Sequence, residues 1–88
     1  MGTCKVQIVN RLGLHARAAA KFVEVAVSSP CGIEVSRGEK KIDGKSIIGV
    51  MMLAATQGTV IEITVHGPEE EVVLRDLVEL VSDGCGEL

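Results

Sequence analysis

Apolar and polar positions change their period several times along the chain, and each change marks an element. Lys5-Val6-Gln7-Ile8-Val9 alternates, so Val6 and Ile8 share one face of a first strand. From Ala16 to Val27 the period lengthens. Ala19, Phe22, Val23 and Ala26 recur at helical spacing until Ser28-Ser29-Pro30 stops the run. Gly32 to Ser36 predicts a strand, Gly38-Glu39 a turn, and Lys40 to Asp43 its short hairpin partner. Past Asp43-Gly44, Ser46 is placed to cap a short helix through Ile47, Ile48, Val50, Met51 and Leu53, with Gly58 in its exit region. Val60 to His66 alternates again, with Ile61, Ile63 and Val65 on one face and Glu62, Thr64 and His66 on the other. Gly67-Pro68 opens a last helix. Glu69, Glu70 and Glu71 suit its positive end, and Leu74, Leu77, Val78 and Val81 form its buried stripe. The chain is expected to fray after Gly84.

Strand, helix, strand, strand, helix, strand, helix is an α+β order in which one sheet face is covered by helices and the other is wet. The chain shows no linker, internal repeat or low-complexity tract, so residues 1–88 read as one domain. Its residues are 47% hydrophobic and include one aromatic, Phe22, so the core must be aliphatic. A net charge of −3 without aromatic interleaving argues against nucleic acid as a partner. The absence of an apolar run of signal-peptide or membrane length points to a cytoplasmic protein that does not insert into membranes. Cys4, Cys31 and Cys85 are odd in number and far apart, which suits neither a disulfide framework nor a CxxC metal pair. A small metal or thiol protein built on them is the weakest reading, and no metal or cofactor is expected.

Charge is divided unevenly. Residues 1–45 carry eight Lys or Arg against four Asp or Glu, whereas residues 46–88 carry one against eight. Arg11, Arg17, Lys21 and Lys45 bracket two segments with chemistry, where a phosphate or an acidic partner could be met. The first is Gly13-Leu14-His15-Ala16-Arg17. It places an imidazole just before a helix, whose first N–H groups lack internal partners and favour anions. Neutral imidazole is a nucleophile near neutrality. A phosphoryl group on it would meet the amides of Ala16 and Arg17 and the Arg17 fork. The site would hold the group without enclosing it.

The second segment is Gly44-Lys45-Ser46. It is not a nucleotide-binding P-loop, because that motif needs glycine where Glu39 stands, and Gly38 misses by one residue. Nor do Ser46, His15 and Asp43 make a hydrolytic triad, since Ser46 lacks the Gly-x-Ser-x-Gly elbow and a small one-layer domain offers little cleft. Ser46 is a capping serine, and a phosphate there would be tolerated locally while changing what docks. The run from Ile47 to Met52 is more apolar than one buried helix side requires. Ile48, Met51 or Met52, together with Leu14, can therefore form an exposed patch. His66 reads as a solvent-facing strand end.

Asn10-Arg11-Leu12-Gly13-Leu14-His15-Ala16-Arg17-Ala18-Ala19, followed by Gly44-Lys45-Ser46-Ile47-Ile48-Gly49-Val50-Met51, closely resembles the histidine-containing phosphocarrier (HPr) family of the bacterial phosphoenolpyruvate-dependent sugar phosphotransferase system. The resemblance covers essentially the whole chain. It implies an open-faced sandwich, a four-stranded antiparallel sheet with three helices on one side. It also implies a monomeric phosphocarrier rather than an enzyme. His15 would take a phosphoryl group on Nδ1 from enzyme I and pass it to an enzyme IIA domain, with Arg17 binding the phosphate. Ser46 matches a regulatory serine, phosphorylated in some bacteria by an HPr kinase/phosphorylase. Leu14, Ala20, Lys21, Ile47, Ile48 and Met51 would dock partners. Ala18 stands where many members have proline, Ile48 replaces a larger Met or Phe, and Met52 is bulkier than usual. The alternative is a regulatory module, governed by Ser46 or serving a nitrogen-type pathway without sugar transport.

Overall fold

The computed structural model describes residues 1–86. Its strands are β1 (Gly2–Gln7), β2 (Gly32–Arg37), β3 (Lys40–Asp43) and β4 (Val60–His66); its helices are α1 (Ala16–Val27), α2 (Ile47–Met52) and α3 (Glu70–Ser82). The sheet order is β1-β4-β2-β3, with every neighbouring pair antiparallel. The four-stranded open sandwich expected from the element order is the one observed.

Alternation decides which sheet face is covered. Ile61, Ile63 and Val65 of β4 are buried with Val35 and Ile33 of β2 and Val6 of β1, beneath the helices. Facing the other way, Thr3 and Thr64 share a hydroxyl hydrogen bond of 3.2 Å across β1 and β4, and Glu34 and Asp43 are cross-strand neighbours. From above, α1 inserts Ala18, Ala19, Phe22 and Ala26, and α3 inserts Leu77 and Val81, with Leu74 and Val78 half-buried beside them. The three alanines let α1 approach closely, which leaves Phe22 as the largest side chain at the centre of the cluster.

Several boundaries differ from expectation. The first strand begins at Gly2 rather than Lys5 and ends at Gln7 rather than Val9, because β4 offers seven residues to pair and Gly2 sits opposite Val65. Ile8 still points into the core and continues the contact with a 2.8 Å bond from its N–H to the Thr59 carbonyl. After α3 the chain does not fray at Gly84. A 3₁₀ turn covers Gly84–Gly86, and Cys85 is buried against the core.

The last helix starts at Glu70, one turn residue later than Glu69, which adopts a left-handed conformation with φ of 57°. Glu70 accepts from the Gly67 N–H at 3.3 Å and pairs with the Met1 ammonium at 2.6 Å. Those two donors, the ammonium foremost, hold its carboxyl below the usual carboxylate range. Cys31 is buried with its thiol donating to the Pro68 carbonyl at 2.9 Å, and Cys4 is half-buried on β1. No His, Cys, Asp and Glu cluster with metal-site geometry occurs among the described residues. Among the described residues, no helix is long and apolar enough to cross a membrane.

Because Phe22 is the largest fully buried side chain, between the sheet and the helix layer, its truncation should be the costliest single change in the core. Phe22→Ala is expected to lower unfolding free energy by about 3–5 kcal/mol, read from urea denaturation by far-ultraviolet circular dichroism. A loss below about 1 kcal/mol would contradict this account of the packing.

Candidate functional site

His15 is the N-cap of α1, in extended conformation with ψ of −179°. Its Nδ1 accepts the backbone N–H of Arg17 at 3.4 Å. An acceptor nitrogen carries no proton, so the neutral ring bears its hydrogen on Nε2 and directs the Nδ1 lone pair at the helix start. The 3.4 Å length makes that bond weak and easily surrendered. The ring is half-buried, while Arg17 is exposed. The helix begins here because Ala19 N–H bonds back to the His15 carbonyl at 2.8 Å, whereas the amides of Ala16, Arg17 and Ala18 have no carbonyl one turn earlier. The first-turn amides and the imidazole Nδ1 thus converge at the start of α1.

The loop before His15 is fixed from two sides. Asn10, almost fully buried, donates from Nδ2 to the Gly13 carbonyl at 2.5 Å, and its own carbonyl accepts the Gly13 N–H at 3.1 Å. Gly13 has φ of 67°, and a Cβ there would overlap the Ala55 carbonyl oxygen and lie 2.9 Å from Thr56 Cα. Only glycine meets both demands. Directly afterwards, the Leu14 N–H donates to Ala55 O at 2.9 Å. The segment after α2 is therefore the floor on which the His15 loop rests. Within it Ala54 takes a left-handed conformation, φ 52°, without being glycine.

Ser46 caps α2 as the sequence predicts, accepting the Gly49 N–H on its Oγ at 3.0 Å while its carbonyl takes the Val50 N–H. Since α2 runs from Ser46 to the floor segment, the serine lies about 9 Å, the length of that short helix, from the floor. Ile48 and Met52 are 68% and 59% exposed, Ile47 and Met51 about 40% each, and Ala20 and Lys21 lie on the exposed side of α1. One expectation needs correction. Leu14 is buried, 5% exposed, because its backbone is tied to Ala55 and its side chain enters the core; it supports the site and does not line the patch. Lys45, beside Ser46, donates from Nζ to the Ser29 carbonyl at 2.8 Å, just past the C-terminal end of α1.

The sequence also left three contributors unseen. Asn10 before a glycine turn is ordinary loop chemistry, and nothing in the pattern marks it as buried. Arg37 and Lys40 read as solvated hairpin charges, yet Arg37 Nη1 donates to the Ala54 carbonyl at 3.0 Å and Lys40 Nζ to the Met52 carbonyl at 2.6 Å.

Fold and site together define a small open-faced sandwich that places an imidazole at the start of a helix. The family model described as "PTS HPr component phosphorylation site" matches residues 3–83. The chain is 50% identical over 84 residues to the phosphocarrier protein HPr of Pseudomonas aeruginosa, covering 94% of this chain and 93% of that one. It is 43% identical over 82 residues to the HPr of Neisseria meningitidis, covering 93% and 92%. Among solved structures, HPr from Thermoanaerobacter tengcongensis superposes with a TM-score of 0.95 at 39% identity, covering 100% of this chain and 99% of that one. The chain belongs to the HPr family, the phosphocarriers of the phosphotransferase system.

Ala54 carries strain at the floor of this site. A left-handed alanine costs about 1 kcal/mol relative to glycine, partly offset by the greater freedom of glycine in the unfolded chain. Ala54→Gly should raise the unfolding free energy by about 0.5 kcal/mol, measured by urea denaturation; a loss of stability would show that the turn is unstrained.

Proposed function

We propose that His15 carries the phosphoryl group, accepting it from phosphorylated enzyme I and donating it to an enzyme IIA domain of the sugar phosphotransferase system. The observation that carries this reading is the N-cap position of His15, with Nδ1 already facing the Arg17 amide. In the forward step the Nδ1 lone pair attacks phosphorus, the bond from phosphorus to the donor nitrogen breaks, and that electron pair returns to the donor. The proton on Nε2 stays in place. The new phosphoramidate oxygens take the place of Nδ1 as acceptors for the first-turn amides of Ala16 and Arg17, with the Arg17 side chain adding charge-assisted bonds.

In this reading the protein serves as a stoichiometric cytoplasmic carrier, acting as a monomer, and each partner completes the reaction centre. Exposed Ile47, Ile48 and Met51, with Ala20 and Lys21, are the surface on which those partners seat.

Ser46 fits a regulatory role, modified by a serine kinase of the HPr kinase/phosphorylase type. Its Oγ lies at the start of α2, next to Ile47 and Ile48, so a phosphate there is tolerated by the helix while placing charge at the edge of an apolar docking surface.

Incubation with enzyme I and phosphoenolpyruvate should introduce one acid-labile, base-stable phosphate per chain, absent from His15→Ala. Label retained by that variant would sink the assignment. Ser46→Asp should fold normally and receive phosphate about tenfold more slowly; an unchanged rate would remove Ser46 from the regulatory role.

A further inference from the structure

The Ala54 and Met52 carbonyls, at the end of α2, are held by two cations from a different part of the chain. Lys40 reaches Met52 within the last turn, where a cation is favoured on general grounds. Arg37 does something more specific, because its acceptor is the carbonyl of Ala54, the left-handed residue itself. The next carbonyl in the chain, Ala55, is the one that receives the Leu14 N–H. Successive peptide groups are thus gripped from opposite directions, one by the β2–β3 hairpin and one by the loop that ends in His15.

This turn contains no glycine, so its positive φ is not its free preference. If Ala54 relaxed to negative φ, the carbonyls on either side of Ala55 would reorient and Ala55 O would leave Leu14 N–H. His15, the next residue, would lose its fixed placement against the first amides of α1. A guanidinium hydrogen bond to the strained residue opposes that relaxation.

We propose that Arg37 is a positioning residue for phosphoryl transfer: its bond to Ala54 O holds the turn that in turn holds His15 at the start of α1. The inference rests on His15 being the phosphoryl acceptor, and it adds a residue that lies outside both functional motifs.

Three variants test it. In Arg37→Ala the Leu14 amide should exchange with solvent about tenfold faster, and the maximal rate of transfer from phosphorylated enzyme I should fall about tenfold with the KM for the carrier little changed. Arg37→Lys, which keeps a donor, should recover part of both losses. Ala54→Gly added to Arg37→Ala should restore both, because glycine adopts positive φ without help. A raised KM at unchanged maximal rate, with no rescue by Ala54→Gly, would make Arg37 a partner contact and overturn the proposal. Unaltered Leu14 exchange would overturn it as well. Wild-type protein that takes up no label would instead refute the reading of His15, while the Leu14 exchange would still decide whether Arg37 holds the turn.

Discussion

The meeting of two backbone segments, 8–14 and 53–59, is the constraint on which the rest of the site depends. Since Gln7 and Val60 are paired at one end of the sheet, the connections leaving β1 and entering β4 emerge side by side. They stay together through reciprocal bonds between Ile8 and the Gly58–Thr59 segment, through Gln57 reaching Val9 O, and finally through Leu14 and Ala55. At the closest point there is no space for a Cβ on residue 13. This contact, more than helix propensity, determines where α1 begins and therefore where the imidazole stands.

Main-chain amides at the start of a helix need no side-chain ordering to act as donors. Rigidity comes from below, through buried Asn10 and Leu14. The neighbouring α2 exposes most of its apolar residues. Leaving Ile48 and Met52 largely in water forgoes the stabilisation that their burial would give.

Much of the fold was legible because its periods are clean. The limits of α1, β3 and β4 follow from Ala19, Phe22 and Ala26 at helical spacing, from the Gly38 turn, and from alternation through Ile61, Ile63 and Val65. Gly2-Thr3-Cys4 carries no such alternation and becomes strand only because β4 is there to pair with it. The cap at Ser46 and the helix start at His15 were visible as local chemistry. Leu14 was misplaced because a single apolar residue in a loop has no period to say which way it points. Lys45, Arg37 and Lys40 share another difficulty. Each ends on a main-chain carbonyl at least 12 residues away, and a carbonyl acceptor leaves no mark in the sequence.

The aliphatic core around Phe22 has a consequence for how the molecule can be watched. With no tryptophan and no tyrosine, the chain is nearly transparent in the near ultraviolet and silent in intrinsic fluorescence. In a mixture with any tryptophan-containing protein, the whole emission signal reports the other molecule. A titration then observes the partner's surroundings alone, unmixed with any optical change in the carrier.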